Sequence, residues 1–142
     1  MDIRALTPTY AVSPQIDPAD LPAIAAAGYT MVIDNRPDGE IPPHLHTDTM
    51  RRAAEAAGLT FVANPVIGGM LTEDNVTEQG RAIAAASGPV LAYCASGNRS
   101  SVVWALAHAG RMPVDDLIGL PARHGYQLEW LRGQLEAMAQ GG

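Results

Sequence analysis

Apolar positions along the chain fall into short runs of strand length, separated by longer stretches in which they recur at helical spacing. Residues 3–6 and 9–12 read as two short strands broken by Pro8. Asp17, Pro18 and Asp20 then open a helix, with Asp17 as cap and Pro18 at the first helical position, and Gly28 closes it. Residues 29–34 form a short apolar run suited to a buried strand, and residues 35–40 a polar loop whose Pro37-Asp38-Gly39 is a turn signal. A helix over 47–57 ends at Gly58, and Thr60–Ala63 is the next strand, leading into a loop over 64–71. Thr72 caps a third helix that ends near Ser87 and Gly88. Val90–Tyr93 is a further strand. The helix after it carries Val102, Val103, Leu106 and Ala109 and stops at Gly110. A short helix over 115–120 precedes Pro121, and a last one over 125–139 puts Leu128, Leu131, Leu135 and Met138 on one stripe.

Strands that alternate with helices predict an α/β fold of three layers: a mostly parallel sheet of four to five strands with helices on both faces. The length suits one domain over residues 1–142. Ligands of such sheets bind beyond the carboxyl ends of the strands. Three loops leave those ends, over 35–40, 64–71 and 94–99, and they are expected to converge.

Composition narrows the partners. Net charge is −6, and all nine basic residues are Arg. Without a basic run, nucleic-acid binding is not expected, because its affinity comes from neutralised phosphates. Docking on an anionic membrane is disfavoured for the same reason. No apolar run approaches the roughly 20 residues of a spanning helix, and the first residues lack a secretory pattern, so the expected location is cytoplasmic. His44, His46 and Asp48 lack a further histidine at ligand spacing, and His108 and His124 do not complete a set. They read as a solvated loop before a helix, and no metal or other cofactor is expected.

The chemistry concentrates in Cys94-Ala95-Ser96-Gly97-Asn98-Arg99, between a buried strand and a helix. Such a loop presents backbone N–H groups with no intrahelical partner, and with the helix dipole they make an anion site. The small residues Ala95, Ser96 and Gly97 let the backbone curl so that several amides face one centre, and Gly97 takes positive φ without steric cost. A thiolate at the mouth of that ring is a nucleophile. Arg99 adds a permanent charge and a planar fork. Cys94 and Arg99 are therefore the candidate catalytic pair, with Ala95, Ser96, Gly97, Asn98 and Ser100 as the candidate anion-binding set. Arg36, Asp38 and Gly68 are candidates for the rim, with an internal Arg–carboxylate brace as the competing role for Arg36 and Asp38. Trp104 and Trp130 read as core aromatics, and His124 and Tyr126 as surface residues. The single cysteine leaves no resolving thiol within the chain, so a covalent intermediate on Cys94 must be discharged from outside.

The loop with its preceding Tyr93 and following Ser100 resembles the active loop of rhodaneses, which has the same count from Cys to Arg. The whole chain is similar to a more specific family: small bacterial sulfur transferases related to the phosphatase-like domain of beta-lactamase hydrolase-like proteins. The resemblance is carried by Leu6-Thr7-Pro8, Val12-Ser13-Pro14-Gln15-Ile16, Asn35-Arg36-Pro37-Asp38-Gly39-Glu40, Ala53-Ala54 with Gly58-Leu59, Pro65-Val66, Gly88-Pro89-Val90-Leu91-Ala92-Tyr93-Cys94, and Ser96-Gly97 with Arg99-Ser100. Ala95 departs from the pattern, since relatives often carry Arg there. The resemblance implies a cysteine-phosphatase-like fold.

Two features decide the expected activity. The loop has six residues from Cys94 to Arg99, one fewer than cysteine phosphatases use. The stretch Ile67-Gly68-Gly69, where those enzymes place a general acid, has no carboxylate. Sulfur transfer needs no such acid when the leaving group is sulfite. The expected function is thus a rhodanese-like sulfurtransferase moving sulfane sulfur from thiosulfate or a small persulfide to a thiol through a Cys94 persulfide. Its expected partners are a small anionic sulfur donor and a thiol acceptor, with a persulfide-metabolising enzyme as a candidate protein partner. The alternatives are a cysteine-dependent phosphatase acting through a phosphocysteine, which gains if Asp38 or Asp74 lies near Cys94, and a non-catalytic oxyanion or persulfide sensor.

Overall fold

The computed structural model of the chain describes residues 1–141. Five strands alternate with six helices: β1 Arg4–Thr7, β2 Tyr10–Ser13, α1 Leu21–Ala26, β3 Met31–Asp34, α2 Thr47–Ala56, β4 Thr60–Ala63, α3 Glu73–Ala85, β5 Val90–Tyr93, α4 Asn98–Ala107, α5 Val114–Ala122 and α6 Arg132–Gly141. The sheet order is β1-β2-β5-β3-β4. β2, β5, β3 and β4 run parallel, and β1 pairs antiparallel with β2 at one edge.

β5 occupies the centre of the sheet although it is the last strand in the chain. Its Tyr93 is in register with Ser13 on one side and Asp34 on the other, so three strands end level beneath one crevice. That is where the order of an open parallel sheet reverses and a ligand site forms.

Alternation along each strand divides the core in two. Val12, Ile33 and Ala92 face a cluster with Val102, Leu106, Leu117, Leu128 and Leu135. Ala11, Val32 and Leu91 face the opposite cluster with Leu21, Ile24, Met50 and Phe61. Both faces of the central strands are covered, which is why their sequence reads as an unbroken apolar run.

Thr60–Ala63 and Val90–Tyr93 match their expected bounds. The first helix departs at its start: Pro18–Asp20 is a 3-10 turn, and α1 begins only at Leu21. Pro22 has no N–H to give to the Pro18 carbonyl, which instead receives the Leu21 N–H. At the far end, α5 runs through Pro121 to Ala122 rather than stopping at Leu120. The single helix expected over 125–139 is a 3-10 turn at Glu129–Leu131 followed by α6. Gly125, at φ +90°, reverses the chain before it. Leu128, Leu131 and Leu135 are buried as the stripe requires, while Met138 stays exposed. Among the described residues no helix is long and apolar enough to cross a membrane.

Candidate active site

Cys94 follows the last residue of β5 and is 1% exposed. Its backbone N–H reaches the Ser13 carbonyl at 3.4 Å, so the loop leaves the sheet still tied to β2. The Gly97 N–H points back at the Cys94 sulfur, 3.1 Å away. Gly97 is the residue before α4 and holds φ +98°. A side chain there would be strained twice over. The backbone is left-handed, and a Cβ would lie 2.2 Å from the Tyr126 hydroxyl. The Ser101 hydroxyl and N–H both bond the Gly97 carbonyl, at 2.9 and 3.0 Å, which locks the start of α4.

Arg99, in the first turn of α4, is held by groups from two other loops. Glu40 accepts Nη1–H at 2.7 Å and Nη2–H at 2.8 Å, and the Val66 carbonyl accepts Nη1–H at 2.8 Å. A guanidinium has five N–H groups. Three are thus taken, two on the end-on edge by Glu40 and one on the outer side of Nη1 by Val66, and the Nε–H with the second Nη2–H is left as a side-on fork. Hydrogen bonding and charge attraction from Arg99 hold the Glu40 carboxyl below its ordinary range. The convergence of loops 35–40, 64–71 and 94–99 expected from the strand order is present in this one side chain and its partners.

Loop 35–40 is itself shaped by buried carboxylate bonds. Asp34, at the end of β3, accepts the Arg36 N–H and the Thr47 hydroxyl, each at 2.9 Å. Burial pushes its carboxyl up, and those two bonds oppose the rise. Asp38 accepts the Thr47 N–H at 2.8 Å and so serves the start of α2. Arg36 reaches Glu40 at 3.3 Å and the Gln15 side chain at 3.2 Å. The brace in this loop is therefore Arg36–Glu40–Arg99, and Asp38 is not its carboxylate.

Several expected site residues fall into place differently. Ala95, Ser96 and Asn98 are exposed along the loop. Ser100 is fully buried, and its hydroxyl donates to the Asn35 side chain at 2.9 Å, so it braces the loop from behind rather than offering its proton to an anion. Gly68 is exposed between Ile67 and Gly69, both of which line a groove beside Arg99. Asp74 lines a separate hollow with Asn64, Asn75 and Arg81, in which no residue of the thiol loop takes part. Trp104 is buried as expected, but Trp130 is 68% exposed.

Tyr126 corrects the surface reading most clearly. It is 5% exposed, donates its hydroxyl to the Ser96 carbonyl at 2.7 Å, and accepts from Arg4 at 2.8 Å. Glu40 and Tyr126 are the two site residues that sequence reasoning did not single out. Glu40 stood inside the quoted run 35–40 but was not separated from Asp38. Behind the loop lies a buried amide network in which Asn35, Asn64 and Gln79 bond one another, with Tyr10 joining Gln79 and the Ser100 carbonyl. Among the described residues no cluster of three His, Cys, Asp or Glu side chains could hold a metal ion.

A thiol loop between the central strand of a parallel sheet and the N-terminus of a helix, closed by an arginine, defines the cysteine-phosphatase-like class. Comparison with known proteins agrees. A Neisseria meningitidis protein described as a candidate phosphatase is 34% identical, with TM-score 0.82, covering 97% of this chain and 99% of its own. A candidate phosphatase of Shewanella putrefaciens shares the fold at TM-score 0.73 and 19% identity, over 95% of this chain and 91% of its own. The beta-lactamase hydrolase-like protein of Xylella fastidiosa is 36% identical over 94% of this chain, which spans only 32% of that relative's length. The family of the phosphatase-like domain of beta-lactamase hydrolase-like proteins matches residues 2–111, and the chain belongs to it.

The fold expected from the sequence stands, and so does the expected relation to the phosphatase-like domain, whereas membership of a sulfur-transferase family is not shown. Sulfur transfer, expected from the loop count, draws no support from these relatives, whose descriptions favour the phosphatase alternative.

Proposed function

We propose that this chain is a cysteine-dependent phosphatase acting on phosphomonoesters through Cys94. The observation that carries the reading is the side-on fork of Arg99, held open by Glu40 beside a sulfur at the base of an amide loop. A phosphoryl group bound there would take the loop N–H groups and the free Nε–H and Nη2–H on its non-bridging oxygens. The Cys94 thiolate attacks phosphorus, forming the S–P bond as the ester P–O bond breaks. Water then attacks phosphorus, the thiolate leaves, and inorganic phosphate departs with the proton passing to solvent.

The carboxylates near the loop are otherwise engaged: Asp38 with Thr47, and Glu40 with both arginines. The leaving oxygen must therefore take its proton from solvent. This favours esters whose leaving group is already stable as an anion, aryl phosphates above alkyl phosphates.

A second reading, sulfur transfer, is favoured by two specific observations. The loop is one residue short of the phosphatase length, and among the described residues lining the groove beside it there is no carboxylate. In that chemistry Cys94 attacks the outer sulfur of thiosulfate, sulfite leaves, and the persulfide passes its sulfur to an external thiol.

The two readings separate in one experiment. Wild type and Cys94→Ser are assayed side by side for aryl phosphate hydrolysis and for thiosulfate sulfurtransferase activity, with intact mass measured after each substrate. Phosphate release lost in Cys94→Ser, with a phosphoryl adduct trapped on wild type, supports the first reading. With cyanide supplied as the sulfur acceptor, thiocyanate formation with a one-sulfur adduct and no phosphate release replaces it with the second.

A further inference from the structure

A groove of about 400 Å³ opens directly against the last two residues of the thiol loop, Asn98 and Arg99. That volume lies within the roughly 300–1,000 Å³ typical of small-molecule sites. One wall is the loop after β4, with Val66, Ile67 and Leu71. The other is Trp130 and Leu131 at the start of the C-terminal helical segment, and Leu106 of α4 is at its floor. Arg99 is the one charged residue that lines it. Its Nη1–H bond to the Val66 carbonyl ties the groove wall to the guanidinium whose other edge is the anion fork.

The exposed apolar side chains point to the same place. Among the described residues five large ones are exposed: Met1, Ile67, Met70, Trp130 and Met138. Ile67 and Trp130 line this groove, Met70 sits in its loop wall, and Met138 borders the adjoining hollow that shares Leu71 and Gln134. Two of the five thus line the groove itself, one belongs to the loop that walls it and one borders the hollow beside it. Apolar surface gathered around an anion site is what a ligand with a charged head and an apolar body would cover.

We infer that this groove is the subsite for the apolar body of the substrate, an uncharged aryl or similarly bulky group, with Trp130 as its outer wall. The inference deepens the function proposed above and rests on the anion site at Arg99, not on which atom Cys94 attacks. Trp130, Leu131 and Gln134 lie beyond residues 2–111, so the wall they form is outside the segment the family match describes. A bare phosphate or thiosulfate would leave the groove empty and gain nothing from it.

Trp130 supplies its own readout, because Trp104, the other tryptophan, is buried and silent to solvent. Inorganic phosphate, phenyl phosphate and 2-naphthyl phosphate are titrated into Cys94→Ser, with affinity measured by calorimetry and tryptophan emission recorded. Affinity is expected to rise about tenfold from phosphate to 2-naphthyl phosphate, with a blue shift that disappears in Trp130→Phe. Trp130→Ala and Ile67→Ser, both exposed positions, should each cut the naphthyl-to-phosphate affinity ratio several-fold. Equal affinity for phosphate and 2-naphthyl phosphate, with no change in Trp130 emission, would overturn the groove and leave the anion site standing. Binding of neither would overturn both.

Discussion

Glu40 and Arg99 lie 59 positions apart in the chain and meet by two hydrogen bonds of 2.7 and 2.8 Å. The pair fixes a guanidinium that would otherwise have many rotamers, and it does so from the side away from the ligand fork. Replacing Glu40 by Gln removes the charge and one acceptor but keeps the shape. Turnover of an aryl phosphate should fall about tenfold in kcat/KM, equivalent to about 1.4 kcal/mol, while unfolding stability drops by about 1 kcal/mol or less because the pair is partly solvated. Steady-state kinetics with chemical denaturation checks both. An unchanged kcat/KM would show that Arg99 does not need its brace.

The same pair predicts a pH signature. Arg99 holds the Glu40 carboxyl below its ordinary value in the folded protein. A lowered carboxyl contributes stability above its unfolded-state pKa and loses it as pH falls through the folded one. The stability gap between wild type and Glu40→Gln should therefore be full at neutral pH and close only on the acid side of the ordinary glutamate range. Denaturant titrations across acid pH would expose an error if the gap widened instead.

Gly97 carries two constraints that can be pulled apart. Gly97→Ala adds a left-handed backbone cost of about 1–2 kcal/mol and a collision with the Tyr126 hydroxyl. Adding Tyr126→Phe removes the nearest colliding atom but leaves the ring carbon at 2.9 Å and the backbone cost. The double variant should recover part of the thermal stability lost in Gly97→Ala, and never all of it.

Tyr126→Phe alone removes a hydroxyl bonded to Ser96 and Arg4. Stability should fall by about 1–2 kcal/mol. Slackening of the loop should raise KM more than it lowers kcat, a split that plain loss of folded protein does not produce. Arg4→Gln, which loses the outer bond, the Asp2 pair and the stacking on the Tyr126 ring but keeps the bond to Ser96, should show a smaller effect of the same kind on KM.

Asp38 is engaged with Thr47 rather than with the loop. Asp38→Asn keeps an acceptor oxygen there and should leave kcat within about twofold, with the alkaline limb of the pH–rate profile unmoved. A hundredfold loss together with a vanished alkaline limb would make Asp38 the general acid after all.

The thiol loop was legible because it is local. A strand, small residues, an arginine and a helix in immediate succession state their own geometry, and the strands Thr60–Ala63 and Val90–Tyr93 are bounded by turn residues beside them. What the sequence did not disclose depends on distance along the chain. Glu40 and Asp38 stand two residues apart in the same turn, and only the fold decides which one faces Arg99 and which faces α2. Tyr126 follows Pro121 and Gly125, a context that reads as surface, yet α5 runs through Pro121 and delivers the phenol to Ser96. Trp130 read as core because it falls near the Leu128 and Leu131 stripe, but the 3-10 turn at Glu129–Leu131 rotates it outward. Ser100, in the first helical turn, reads as a ligand for the anion, yet its hydroxyl donates its hydrogen bond to the buried Asn35 side chain.

Tyr126 also has a mechanical meaning. Its hydroxyl joins Arg4, at the start of β1, to the carbonyl of Ser96, two positions from the sulfur. The two extremities of the fold are thereby knotted to the reacting loop through one phenolic oxygen. A load applied along β1, or along the segment that carries Tyr126, is delivered to the loop without crossing the sheet.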